Sequence, residues 1–391
     1  MPTNIGASLV TTSITNCYDP QVLRLKLPVE RVYLYLPERE WTYSHHQSIT
    51  FYRGRFYAIW SNGRLNEDDP GQRVLIASTE DFSHWTAPEP LIGPLQGQHS
   101  ELVLTAAGFH QHEGALIAYF GQYEYSAEAI RNGIKGGRDH QDTRLWAMRT
   151  TDGRAWSAPL DMHMPIVPNH GPQPTKSGRL IISGNIAFPY TDDPSGLAVW
   201  KMTGVYPDDM AAAIFDDSEA FWKVQSRMGW PAGLCEGSFY QTDDGVLHML
   251  LRATGPGYSG KLWVTESRDN GATWSSPAET GFTDNNTKFH FGRLPDAVGR
   301  PAAGRYYYVG CPDPEPRGAR NPLVLSLSED GVRFDRHFIL ADEEYVQRRT
   351  GLHKGGLYGY PHTMLHDGYL YVIVSLRKEA VAVMRVALAA F

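Results

Sequence analysis

The chain has 391 residues, with 43 acidic against 36 basic side chains and a formal net charge of −7; its pI is near 6.1. That balance gives no electrostatic basis for binding nucleic acid or an anionic membrane, and no stretch approaches the roughly 18 apolar residues of a membrane span. Hydrophobic residues make up 42% and aromatics 12%, which excludes a disordered chain.

Three cysteines, Cys17, Cys235 and Cys311, lie too far apart for a dense disulfide framework or a zinc spacing. The N-terminus MPTNIGASLVTTSITN has no basic segment followed by an apolar run. A reduced, cytoplasmic protein without a cofactor is the expectation. The composition leaves the oligomeric state open.

In chain order, six similar units follow, each a polar residue, a short alternating strand, a turn and an aromatic-rich strand. The first is HHQSITFYRGRFYAIWS, followed by STEDFSHW, whose turn ends at Trp85 with Glu80 and Phe82 at the Asp and Gly positions. The second is QHSELVLTAAG with GALIAYFG, followed by TTDGRAW and Trp156. The third is NHGPQPTKSGRLIISG, with a degenerate turn at Trp222. The fourth, EGSFYQTDDGVLHMLLR, precedes the clearest turn, Ser267 to Trp274 (SRDNGATW). The fifth, FHFGRLPD with GRYYYVG, precedes SEDGVRF and Phe334; the sixth is YPHTMLHDGYLYVIVS. In these turns an Asp side chain caps backbone amides, Gly takes a positive φ, and the aromatic packs under the hairpin.

Strands of four to eight residues separated by Gly/Asp turns, six times over, predict an all-β single domain over 1–391, a six-bladed β-propeller. A pair of sandwiches gives no reason for six similar units. The last unit lacks chain for an outermost strand, and the N-terminal ASLVTTSIT is expected to supply it. In a propeller the starts of the innermost strands converge on the axis. Those starts are His46, His99, His170, Glu236, Lys288 with His290, and Tyr360 with His362. Ionisable residues there point to a site on the axis. A metal bound by several of the axial histidines is an alternative reading, but no close His/Cys/Asp spacing supports it, and none is expected. His45, next to His46 on a strand, is expected to face the other way. The glycine-rich RNGIKGGRDHQDTR is either a surface loop or a rim loop offering Arg131, Lys135 or Arg138 to an anionic glycan.

These residues resemble the sialidase (neuraminidase) superfamily with its Asp-box repeats, across nearly the whole chain. Glu236 opening a strand and Arg252 ending its partner match that family's spacing. Arg320 just before an Asp-box strand matches a substrate-binding arginine. Tyr360 matches the nucleophilic tyrosine. The segment WSNGRLNEDDPG resembles the one carrying an arginine and the acid aspartate, suggesting Arg64 and either Asp69 or Asp68, with Asp69 preferred. The resemblance implies that Glu236 takes the proton of Tyr360, Asp69 protonates the leaving oxygen, and arginines clamp a substrate carboxylate. The chain departs from the family at His46-Gln47-Ser48, where the family has Arg-Ile-Pro. Histidine cannot reproduce a permanent bidentate clamp.

The first expectation is therefore an exo-acting, retaining, sialidase-type glycoside hydrolase acting on a terminal acidic sugar of an oligosaccharide or polysaccharide. Tyr360, Glu236, Asp69 and His46 would be catalytic, with Arg252, Arg320, Arg64, His99, His170 and His362 binding substrate. A lyase cleaving uronic-acid glycans by His/Tyr β-elimination is a second expectation, favoured by the histidines. A glycan-binding propeller without catalysis is a third.

Overall fold

The computed structural model describes residues 5–6, 10–134, 140–210, 224–295 and 305–391. The chain is all-β, with five four-stranded antiparallel sheets, one of three strands and a two-stranded parallel pair of Ile5–Gly6 with Trp274–Ser275 among the described residues, the six larger sheets built mainly from consecutive strands. The first strands of these sheets are Tyr43–Tyr52, Val103–His112, His170–Pro174, Gly233–Gln241, His290–Arg293 and Tyr358–His366.

Strand periodicity explains how the sheets stack. Along Arg55–Gly63, Ala58 and Trp60 join a hydrophobic cluster with Ile373, Val381 and Val383 of the sixth sheet. Ile59, pointing the other way, joins Leu104, Leu116 and Phe120 of the second. Each strand thus feeds two cores from alternate residues. Similar clusters link the second, third and fourth sheets, the fourth and fifth, and the fifth and sixth. Sheets buried on both faces need nearly continuous apolar strands, as in YLYVIVSL.

The Asp turns behave as their chemistry requires. Asp269 Oδ1 accepts from the Thr273 amide at 2.9 Å, and Gly271 has φ +85°. Asp152 accepts from the amides of Arg154 and Ala155 at 2.8 and 2.9 Å. Asp330 does the same for Val332 and Arg333 at 2.7 and 2.8 Å. In the first copy the capping residue is Asp81, bonded to the amides of Ser83 and His84 at 3.0 and 2.8 Å, rather than Glu80, which pairs with Arg55 at the surface. Phe82 does stand at the glycine position, with φ 68°. Trp222, Lys135 and Arg138 lie outside the described residues. Arg131 is exposed in the short helix Ala127–Asn132.

The outermost strand of the sixth sheet is Glu30–Tyr35, antiparallel to Ala380–Ala387. The stretch ASLVTTSIT is not that strand: its Thr15 bridges to Gly281 and Arg333 of the fourth and fifth sheets. The long segment between the fifth and sixth sheets is tied down by a fully buried ion pair, Lys354 Nζ to Glu379 Oε1 at 3.1 Å. Glu379 also accepts from the amides of Arg348 and Arg349. Glu379→Ala leaves a buried ammonium without its counter-charge and is expected to lower stability by about 3–5 kcal/mol, read from urea unfolding. A loss below about 1 kcal/mol, the size typical of a surface pair, would show that the pair does not hold this segment.

Candidate active site

Three of the first strands share one backbone device. Each slips register near its start, between His45 and Ser48, Cys235 and Ser238, and Gly359 and His362. Within each slip one residue takes a left-handed conformation: His46 (φ 54°), Glu236 (φ 48°) and Tyr360 (φ 54°). The conformation costs on the order of 1 kcal/mol or more for a non-glycine residue and persists where surrounding structure imposes it. It turns all three side chains into one pocket of about 370 Å³. Four other pocket residues, Asp68, Arg320, His353 and Lys378, also have positive φ, so seven of the 19 non-glycine cases among the described residues gather here.

At the pocket floor Tyr360 donates its phenolic hydrogen to Glu236 Oε1, and Arg252 Nη1 donates to Glu236 Oε2. The same Nη1 lies 3.0 Å from the Tyr360 oxygen, closing a three-membered network. Burial alone would raise the Glu236 carboxyl, but the Arg252 charge and the tyrosine hydrogen bond bring it down to about 2. The Tyr360 phenol is pushed well above its usual range by burial and by Glu236, so it is neutral at rest. Gln47 Nε2 bonds the carbonyls of Gly359 and Tyr360 at 2.8 and 2.5 Å and so fixes the backbone under the phenol.

Two loops from opposite sides complete the site. Asn286 Oδ1 accepts from Arg252 Nε at 2.8 Å, while its carbonyl accepts from Arg320 Nη2 at 3.3 Å. Asn285 Oδ1 accepts from the Arg320 amide at 2.8 Å. Arg320 is 7% exposed, and its Nε and Nη1 are buried without a hydrogen-bond partner. Across the pocket Lys378 pairs with Glu67 at 2.5 Å, and against the effect of burial this charge holds Glu67 below its usual range. Lys288 lies 5.4 Å from the Tyr360 ring centre, its ammonium lowered by burial to about 8. Arg252 and Lys378 each face a carboxylate, whereas Arg320 has none among the described residues. Its free donors make it the group that can receive an anion.

Of the two aspartates in the acidic loop, Asp68 lines the pocket. Burial, with Glu67 beside it, pushes its carboxyl up to about 7. Asp69 instead caps its own turn, accepting from the Asn66 amide at 3.0 Å and side chain at 3.2 Å, and does not line the pocket. Arg64 does not line the pocket either: its guanidinium forms a half-exposed bidentate pair with Glu101 at 2.7 and 3.1 Å. His99 is exposed in a turn before its strand begins at Val103 and only offers its amide to Glu124. His170 is buried and His362 half-buried beside His290, but none of the three lines the pocket.

His46 does line the pocket, and burial pushes it down to about 4, so it is neutral near pH 7. His45 was expected to face away. The register slip breaks the strand alternation, and its ring centre sits 3.8 Å from that of Tyr360, with Nδ1 2.8 Å from Ser375 Oγ. Glu67, Asn285, Asn286, His353 and Lys378 went unnoticed in the sequence; they belong to loops without a local pattern. Two consecutive asparagines after Asp284 were the only compositional hint.

The BNR repeat-like domain matches residues 54–372. The chain belongs to that family. Its fold is similar to that of a protein of unknown function from Dyadobacter fermentans, with 15% identity, a TM-score of 0.62, and coverage of 94% of this chain and 100% of that one. It is also similar to Trypanosoma rangeli sialidase in complex with sialic acid, with 14% identity, a TM-score of 0.58, and coverage of 93% and 59%. For the Hadza microbial sialidase Hz136 the values are 12%, 0.62, 89% and 66%. The chain thus spans less than two thirds of the length of these two sialidases, and 35% of a third sialidase. No curated protein matches it in sequence. At these identities the likeness concerns the fold.

The contrast between the two arginines is testable with N-acetylneuraminic acid or glucuronic acid as the ligand. Arg320→Ala is expected to weaken binding by about 1.5–3 kcal/mol, the worth of hydrogen bonds to a charged group, in isothermal titration. Arg64→Ala is expected to leave the affinity within about twofold, as for a surface pair. Equal losses in both variants would place the anion site elsewhere.

Proposed function

We propose that the chain is a single six-bladed β-propeller acting as an exo, retaining glycoside hydrolase of sialidase type, on a terminal acidic sugar. The observation that carries this reading is the network of Tyr360, Glu236 and Arg252, buried at the floor of a pocket with an unpaired arginine. The six sheets of three or four strands, three of whose first strands bring His46, Glu236 and Tyr360 to the site, and the packing of the sixth sheet on the first support the propeller.

The substrate carboxylate meets Arg320, with Arg252 beside it. Tyr360 attacks the anomeric carbon as its proton passes to Glu236, and the bond to the leaving oxygen breaks as Asp68 delivers its proton there. A water then loses a proton to Asp68 and attacks the same carbon from the vacated face. Tyr360 departs and recovers its proton from Glu236. Two displacements give net retention. A neutral phenol suits a carbon that bears a carboxylate, since an anionic nucleophile would be repelled. Glu236, held near 2, is a weak base at rest. It accepts the proton only as the phenol oxygen bonds to carbon and its acidity rises.

Because Asp68 must carry its proton, turnover is expected to be full below about pH 7 and to fall as pH rises through that value. Asp68→Asn is expected to remove this alkaline limb and lower kcat on the order of 10²–10⁴-fold for substrates with a poor leaving group. Asp69→Asn is expected to preserve both. The reverse pattern would return the acid to Asp69.

A second reading rests on His46, whose Nδ1 is buried without a partner beside Tyr360. In β-elimination, an arginine neutralises a uronate carboxylate, His46 takes the adjacent C–H proton, and the glycosidic oxygen leaves with a proton from Tyr360. NMR of products from sialosides and uronate glycans separates the readings. A saturated sugar with retained configuration, lost in Tyr360→Phe, supports the hydrolase. A C4–C5 double bond lost in His46→Ala supports the lyase. Sugar binding without any product leaves a glycan-binding domain.

A further inference from the structure

Three histidines, two of them buried and one half-buried, remain unused by either chemistry. His170, His290 and His362 come from the first strands of the third, fifth and sixth sheets. One ring nitrogen from each lies within 4.8 Å of one from each of the others. We propose that these three histidines bind one divalent transition-metal ion of the zinc type, which pins three sheets together beside the Tyr360 pocket rather than within it.

The ring positions fit one ion. A metal–nitrogen bond of about 2.0–2.1 Å, with tetrahedral angles, sets imidazole centres about 5 Å apart. Their separations here are 4.8, 4.8 and 5.8 Å, with the rings tilted by 31° to 45° rather than stacked.

The hydrogen bonds around the cluster leave nitrogen free. His170 Nε2 donates to the Phe289 carbonyl at 3.2 Å, and its Nδ1, buried in a residue 1% exposed, has no partner. A ring N–H held by a backbone carbonyl, with the opposite nitrogen bare, is the arrangement that orients metal-binding histidines. His290 Nδ1 lies 2.5 Å from Thr363 Oγ1 and 3.2 Å from the Thr363 amide, which points its N–H at it, and Nε2 lies 2.9 Å from Gln173 Nε2. The Gln173 amide can donate to that Nε2, and an ion taken up there replaces this hydrogen bond. His362 makes only long contacts, Nε2 to Ser48 Oγ at 3.5 Å and Nδ1 accepting from the Ile49 amide at 3.4 Å. Imidazole ligands suit zinc, cobalt or nickel better than calcium or magnesium.

Lys288, two residues from His290, holds the Asn169 carbonyl and opposes a second cation. The ion is therefore removable by chelation. The test uses the full chain stripped with EDTA and titrated with cobalt(II), then zinc. One cobalt per chain with visible ligand-field bands, displaced by zinc, is expected, along with a higher Tm in zinc. His170→Gln and His362→Gln are each expected to lower the affinity at least tenfold. His84→Gln and His163→Gln, at surface histidines, are expected to leave it unchanged. A wild-type chain that takes up none of these ions in molar excess overturns the proposal. So does uptake that survives His170→Gln in full, and neither result depends on a variant failing to fold.

Discussion

Burial of both faces of the sheets is the constraint on which the rest of the molecule depends. Alternate residues of Arg55–Gly63 enter two different cores, and the same holds for Tyr369–Leu376, where Tyr371 and Ile373 go one way and Leu370, Val372 and Val374 the other. Little room is left on these faces for unpaired polar groups. Chemistry is displaced to strand starts and connecting loops, and the left-handed residues at His46, Glu236 and Tyr360 are how rigid strands deliver side chains there. Strain located in this way is stable because packed sheets on both sides leave the backbone no alternative.

Charge in the pocket is arranged so that one cation is left over. Arg252 is matched by Glu236 and Lys378 by Glu67, while Asp68, raised by burial and by Glu67, adds little negative charge at mildly acidic pH. Arg320 remains, held from behind by Asn285 and Asn286 with two donors free. A buried guanidinium without a counter-ion is costly unless something supplies one, and a carboxylate fits its planar fork. Where the sialidase resemblance leads one to expect a further arginine, the chain has neutral His46, with the Lys378–Glu67 pair among the other pocket residues. The pocket thus offers fewer permanent positive charges than the resemblance implies.

The support of the site runs through contacts distant in sequence. Glu67 donates its amide to the Leu352 carbonyl, and Leu352 donates in turn to Asn66. Lys354, two residues on, reaches Glu379 and the Thr42 carbonyl. His353 and Gly355, which line the pocket, therefore stand on the same anchor as the strand leading to His46.

The sequence by itself determined the repeating unit, the capped Asp turns and the sialidase-like family, because these depend on local periodicity and on residues a few positions apart. It also put Tyr360, Glu236 and His46 near one another, since strand starts in a repeat share a position, and the family resemblance added Arg252 and Arg320. What it could not decide were matters of direction and partnership. Asp68 and Asp69 are neighbours in one turn, and only the path of the loop sends one carboxyl inward and uses the other as a cap. Arg64 was spent on Glu101, 37 residues away. His45 turned toward Tyr360 because a register slip broke the alternation on which its expected direction relied. The three histidines from three sheets carry no spacing signal at all; His170 and His290 stand 120 positions apart and His290 and His362 72, and the fold brings their rings together. Local sequence sets which conformations are cheap, and the packing of sheet on sheet alone sets which side chains then meet.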